Sequence, residues 1–274
     1  PRNEDQLKIR KDIKKGIKKN KIHEIPNRKK AIQEAIKNLN TGDLLLVAGR
    51  GHEKIQDYGK KKIFLSDKKI ILQSVNLKNK LLSNNLKLNI INEQSKSKIS
   101  NKLIINDISI NSKKVKKNDI FFAIKGKRID GNKFVYEALK KKSSLAIVNK
   151  LNRNYPLSKQ VKVKNSLSFL TKCSSIFRKN INAKIISITG SCGKTTLKEM
   201  IGLALKKISK TTFSPKSFNN KFGVPLSLFN LKQDDKFGVF EIGMDRKGEI
   251  NNLSKIINPD VGIITNISYA HSKN

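Results

Sequence analysis

The sequence predicts an α/β fold with parallel sheets, and three observations carry that expectation. Short apolar strands alternate with helical stretches along much of the 274 residues. One such junction, at residues 184–207, reads strand, glycine loop, helix, the order in which parallel-sheet proteins hold phosphates. The composition, 37% hydrophobic and 29% charged, is that of a globular chain whose length suits about two domains.

The elements divide into three segments, residues 1–76, 77–181 and 182–274. In the first, Asn27 precedes a stretch from Arg28 to Leu39 in which Ala31, Ile32, Ala35, Ile36 and Leu39 recur at helical spacing, so Asn27 reads as an N-cap. Thr41-Gly42-Asp43 then turns the chain into an apolar run, Leu44 to Ala48, that reads as one buried strand. A further helix follows Ser66-Asp67. Residues 76–100, rich in Asn, Lys and Ser, read as a linker or as the first weak elements of the next domain.

In the second segment, strands at 120–124 and 145–148 surround a helix near Lys133 to Lys142. The third opens on the strand Lys184 to Thr189. Its helix, Leu197 to Lys207, places Met200, Ile201, Ala204 and Leu205 on an apolar face. No repeat of fixed period runs through the chain.

A net charge of +38 raises the question of nucleic acid. Only eight of the 59 basic residues are arginine, whereas bidentate recognition of phosphates and bases favours Arg. The lysines are spread along the chain with few aromatics between them, so the sequence predicts no nucleic-acid partner. No apolar run approaches the roughly 20 residues of a membrane span. The opening residues lack a signal-peptide pattern. Cys173 and Cys192 form no recognisable motif, and together these features predict a reducing, cytoplasmic setting.

Between the strand and helix of the third segment lies Gly190-Ser191-Cys192-Gly193-Lys194-Thr195-Thr196, preceded by Thr189. Glycines let successive amides curl around phosphate oxygens, and the helix N-terminus adds a favourable dipole. Lys194 is placed to reach the β- and γ-phosphates of ATP, and the Thr195 hydroxyl to ligate Mg²⁺. A strict Walker A loop has glycine where this chain has Ile188, so the match is to a variant, Thr-Gly-x-x-Gly-Lys-Thr-Thr. Downstream, Glu241 ends the apolar strand Phe237 to Phe240, and His271 follows the strand Val261 to Asn266. Carboxylate and imidazole are both acceptable metal ligands, and strand ends are where parallel-sheet ligands collect.

These motifs resemble those of the Mur ligases, the family that builds peptidoglycan precursors. The phosphate-loop variant is typical of that family and its folate-ligase relatives. Ser217-Phe218-Asn219-Asn220-Lys221-Phe222-Gly223-Val224-Pro225 is similar to the family's Asn-Asn-x-x-Gly-Val-Pro segment. Glu241-Ile242-Gly243 with Gly248-Glu249-Ile250, and Asn266 with His271, match two further stretches. Asn118 to Gly126 and Asp130-Gly131-Asn132 resemble the family's UDP-binding domain, with Asn111-Ser112-Lys113 standing for its Asp-Ser-Arg and Asn132 for its usual histidine. Residues 1–76 resemble the C-terminal domain of the diaminopimelate-adding branch, through Pro1-Arg2-Asn3-Glu4 and Ala48-Gly49-Arg50-Gly51-His52-Glu53.

The resemblance implies a Rossmann-like amino-acid-binding domain, a small α/β UDP-binding domain and a parallel-sheet ATP-binding domain. It implies an ATP-dependent, ADP-forming ligase with Mg²⁺, joining D-alanyl-D-alanine to UDP-MurNAc-tripeptide through an acyl phosphate. By the same resemblance Thr195, Glu241 and His271 hold the metal, and Lys194 shares the catalytic role with them. Ser112, Asn219 and Asn220 meet the UDP-substrate, and Arg2, Gly49 and Glu53 meet meso-diaminopimelate. The chain then reads as parts of two consecutive ligases joined, with no turnover expected of residues 1–274 alone. Two other readings stay open: a folylpolyglutamate-type ligase, which lacks the pattern at 121–131, and a basic P-loop module acting on nucleic acid.

Overall fold

In a computed structural model of the chain, residues 5–17, 22–49, 53–57, 62–100, 102–126 and 128–268 are described. The chain forms two compact units, Pro1–Asn79 and Lys80–Asn274.

The first unit carries helices α1 (Gln6–Gly16) and α2 (Arg28–Asn38), and a short antiparallel pair, β1 (Ile55–Asp57) with β2 (Lys62–Phe64). Asn27 caps α2 as its position predicts, its side-chain oxygen accepting the Lys30 amide at 3.0 Å. Helix α3 (Asp67–Ser95) begins in this unit and continues into the second, so most of the stretch read as a linker is helical. Many of its Lys and Asn residues face water, although Asp67, Asn84 and Lys87 are buried; Ile70 packs on Ile32 and Ile36, and Leu88, Ile90 and Ile91 enter the second unit's core.

The strand expected at Leu44 to Ala48 does not form. Inward and outward residues still alternate, with Leu45 and Val47 against the first core and Leu44 and Leu46 94% and 81% exposed. A strand needs a ladder partner for its amides, and none of the described strands pairs with this stretch. Arg28 holds its end instead, donating to the Ala48 carbonyl at 2.9 Å while pairing with Asp67 at the start of α3.

The second unit holds two parallel sheets. The first contains β3 (Ile108–Ser109), β4 (Ile120–Phe122), β5 (Leu145–Val148) and β6 (Gln160–Lys162) in that spatial order, with α4 (Val135–Lys140) between β4 and β5. Its central strands are buried on both faces, as parallel strands covered on either side must be: Ile120 and Phe122 point into one cluster and Phe121 into another. Helix α5 (Ser166–Lys179) then crosses to the second sheet, built from β7 (Lys184–Thr189), α6 (Lys194–Ile208), β8 (Thr211–Phe213), α7 (Gly223–Leu228), β9 (Phe237–Glu241), α8 (Glu249–Ile257) and β10 (Val261–Ile264). Its strand order is β10-β7-β9-β8, all parallel.

A single apolar cluster serves both sheets. Phe122 and Ile147 from the first meet Phe169, Leu170, Cys173 and Phe177 of α5, and these meet Ile185, Phe229 and Phe240 of the second. No helix among the described residues is long and apolar enough to cross a membrane.

Candidate nucleotide and metal site

The site grows from the register of the second sheet. Ile188 of β7 lies beside Glu241 of β9, and Thr189 beside Ile264 of β10. The glycine loop after β7 and the carboxylate ending β9 therefore emerge side by side at the carboxyl edge, where open parallel sheets bind ligands.

Gly193, left-handed at φ 76, leads into α6, whose N-terminus no side chain caps. The first amides of this 15-residue helix thus keep their dipole and donors for an anion. Gly190 has φ 132, and a Cβ there would stand 2.2 Å from the Thr265 hydroxyl oxygen, so the loop can close against β10 only with glycine.

The far side of the loop is held by the segment after β10. The Ser191 amide donates to the Asn266 carbonyl and the Cys192 amide to the Asn266 side-chain oxygen, both at 3.0 Å. The Thr265 hydroxyl donates to the Cys192 carbonyl at 2.6 Å, and Ser191 exchanges hydrogen bonds with Ser268. Two amides that the sequence assigned to phosphate are therefore satisfied internally, which leaves the cradle to Gly193 and the first turn of α6. Thr189 contributes its hydroxyl to the Ile242 carbonyl, and Lys194 folds back on the carbonyls of Gly190 and Ser191 at 2.7 and 3.3 Å. Thr196 is exposed in the first helical turn.

Glu241 is 1% exposed, and its carboxylate is held from both sides. One oxygen accepts the Thr195 hydroxyl at 2.8 Å and the other the Asn219 amide at 2.7 Å. Without such donors a buried carboxylate costs several kcal/mol. The three side chains offer oxygen donors of the hard kind that suits Mg²⁺, and they fit that ion beside the helix N-terminus. No cluster of three His, Cys, Asp or Glu side chains exists among the described residues, and His271 lies outside them. A small cavity of about 120 Å³ opens beside these groups, lined by Gly190, Lys194, Asn219, Asp245 and Glu249 among others.

Asn220 has a different job from its neighbour. Its side-chain oxygen accepts the Phe222 and Gly223 amides at 3.0 Å each and so holds the entry to α7.

Ser112 lines a second, larger cavity of about 1180 Å³ with Asn111, Lys113, Phe134, Phe218 and Phe222. Its hydroxyl donates to Glu137 at 2.7 Å, and that bond holds the Glu137 carboxyl below its usual range. Lys141 fastens the same turn through the carbonyls of Ser112 and Lys113 at 3.0 and 2.8 Å. Asn132, in place of the family histidine, bonds to Asp130 at 2.7 Å and accepts the Asn149 amide at 3.1 Å.

In the first unit Gly49 is left-handed at φ 103 and Glu53 is exposed. Arg2 and residues 50–52 lie outside the described residues.

The helix α6 also corrects its expected face. Its inward stripe runs through Thr195, Lys198, Gly202 and Leu205, while Met200 is 64% exposed and Ala204 faces out. Gly202 sets that phase, because a Cβ there would stand 2.6 Å from the Phe213 ring. The stripe therefore buries Lys198, which the apolar pattern had passed over. Its signal was positional: it stands one helical turn from both Lys194 and Gly202.

Comparison with known proteins points to the family that the motifs resemble. The Mur ligase family, catalytic domain, matches residues 104–178, and the Mur ligase middle domain matches residues 188–273. UDP-N-acetylmuramoyl-tripeptide–D-alanyl-D-alanine ligase of Buchnera aphidicola is 40% identical over 62% of this chain and 37% of its own length. The same ligase of Rickettsia prowazekii is 38% identical over 63% of this chain and 38% of its own. Among solved structures, MurF from Acinetobacter baumannii aligns with a TM-score of 0.60 at 32% identity, covering 67% of this chain and 41% of that one. MurF ligase from Thermotoga maritima in complex with ADP aligns at 0.55 and 34% identity, covering 62% and 39%. The chain thus spans about two fifths of the length of these relatives.

Proposed function

This chain belongs to the Mur ligase family, and on that premise we propose that it carries the UDP-substrate and ATP sites of an ADP-forming ligase joining D-alanyl-D-alanine to UDP-MurNAc-tripeptide. One observation carries the reading: Thr195 and Asn219 converge on the buried Glu241 carboxylate beside an uncapped helix N-terminus. A buried acid, a hydroxyl and free amides at one point are what a nucleoside triphosphate and its divalent ion require.

In this mechanism each group has a stated task. The amides from Gly193 to Thr196 receive phosphate oxygens, and the loop is already rigid because Asn266 and Thr265 hold its outer side. Lys194 exchanges the carbonyls of Gly190 and Ser191 for the β- and γ-phosphates. Thr195 and Glu241 would hold Mg²⁺, and the family resemblance assigns His271 to the same ion. When bound, that ion neutralises charge on the transferring phosphoryl. Ser112 and its turn, fixed by Glu137 and Lys141, orient the UDP end in the large cavity, whose Phe218 and Phe222 come from the stretch that also carries Asn219. Such positioning supplies much of the rate in phosphoryl and acyl transfer.

For the first unit, the resemblance of residues 1–4 assigns meso-diaminopimelate to Arg2, and that of residues 48–53 assigns it to Gly49 and Glu53. A guanidinium fork for a carboxylate and a carboxylate for an ammonium are the matching chemistry. The two free thiols, Cys173 buried and Cys192 exposed, support the expectation of a reducing, cytoplasmic setting.

Isothermal titration of the 274-residue chain tests the reading. A non-hydrolysable ATP analogue with Mg²⁺ and, separately, UDP-MurNAc-tripeptide are expected to bind. Lys194→Ala weakens the analogue on the order of tenfold or more and leaves the UDP-substrate unchanged. Equal analogue affinity in both proteins would sink the assignment. Meso-diaminopimelate in the same cell is expected to bind more weakly to Glu53→Gln than to wild type.

A further inference from the structure

Lys198 is fully buried in the second turn of α6, with 0% exposure of its side chain. An ammonium in such a place loses its water, and an apolar side chain of similar volume would fill the space without that penalty. It donates to the Lys216 carbonyl and pairs with the Glu199 carboxylate at 3.0 Å, on a side chain 42% exposed. The first of these leads to the site.

Lys216 is left-handed at φ 48, in a tight turn closed by the Phe218 amide on the Pro215 carbonyl at 3.2 Å. A non-glycine residue holds that conformation only where its surroundings fix it. The segment 214–219 is anchored at its ends by the second sheet and its margin. The Ser214 amide donates to the Val239 carbonyl at 3.0 Å, and the Gly243 amide donates to the Asn219 carbonyl at 2.7 Å. Between those ends, Lys198 is the side chain that grips the strained turn. The turn in turn delivers Asn219 to Glu241.

We propose that Lys198 is a positioning residue of the nucleotide–metal site: it fixes the left-handed turn at Lys216 so that Asn219 aims the Glu241 carboxylate at Thr195. The inference rests on the reading of Thr195 and Glu241 as the site of Mg²⁺ with ATP. It gives α6 two linked tasks, with Lys194 and Thr195 facing the nucleotide and Lys198, one turn on, holding the loop that completes the site from across β9.

A double-mutant cycle read by titration with the ATP analogue tests it. With Mg²⁺, Lys198→Met and Asn219→Ala are each expected to weaken binding on the order of tenfold, and the double variant no more than the weaker single. With EDTA in place of Mg²⁺, all four proteins should agree within about twofold, a split that general loosening would not give. Lys198→Arg, which restores a donor, should recover most of the loss. In the metal-free protein, amide exchange at residues 215–219 should quicken in Lys198→Met and remain unchanged at residues 184–189. If Lys198→Met does not fold, Lys198→Gln, which keeps a neutral donor, is read in the same cycle.

Additive losses, or a Lys198→Met protein (or Lys198→Gln in its stead) that binds with Mg²⁺ as wild type does, overturn the proposal. When those results accompany a Mg²⁺ dependence that Thr195→Ala abolishes, the positioning role alone fails. If wild type shows no Mg²⁺-dependent nucleotide binding, the site reading fails and takes this proposal with it.

Discussion

Glu241 shows what one residue can and cannot disclose in sequence. Its place at the end of an apolar strand was legible, because parallel strands deliver ligands at that edge. Its two donors were not, since Thr195 and Asn219 are 46 and 22 residues away along the chain. Cys192 and Cys173 make a contrast that chemistry can check at this scale. Cys192 is exposed in the phosphate loop, whereas burial pushes the Cys173 thiol up to about 12. At pH 8 that leaves roughly one thiolate in ten thousand at Cys173. Iodoacetamide should therefore label Cys192 in the native protein and spare Cys173, and the bound ATP analogue should slow the labelling. Peptide mass spectrometry showing Cys173 labelled as fast as Cys192 would contradict the burial described.

Among the elements, α2 could be read from its cap and spacing, and the strand–loop–helix at β7 and α6 from its apolar strand and glycine–lysine motif, although spacing misplaced the inward face of α6. The stretch at Leu44 to Ala48 could not, since composition gives β-propensity but a strand exists only with a partner. Helix α3 was hidden by its polarity: Asn and Lys fill its watery face, and the apolar face changes core partway along. That helix carries a testable burden. Lys87, 4% exposed and 5.6 Å above the Phe177 ring, is lowered by desolvation to about 8 from 10.5. The unfolded chain then binds more protons between those two values, so Lys87 reduces stability most below pH 8 and progressively less as pH rises towards 10.5. Lys87→Met should be more stable than wild type at pH 7, by up to about 3 kcal/mol, with the gap narrowing by pH 10. Urea titrations at both pH values that show a constant gap would refute this.

For the molecule as a whole, the sequence disclosed the α/β class and the family but not how the two sheets of residues 80–274 are joined. That joining depends on side chains far apart in sequence, chiefly Phe177 of α5, fully buried and 5.3 Å from the Phe229 ring. Phe177→Ala should lower stability by about 3–5 kcal/mol. Because the cluster is common property, hydrogen exchange should accelerate in β5 of the first sheet and in β9 of the second alike. Acceleration confined to one sheet would mean that the two melt separately.

The same shared cluster limits how this protein can be taken apart. A cut in the short connection between Asn180 and Lys184 would hand each half a wall of Phe, Ile and Leu side chains shaped for the other, now facing water. The half that carries the glycine loop is therefore a poor candidate for expression by itself, and engineering that swaps this half within the architecture has to carry α5 along with the sheet it serves.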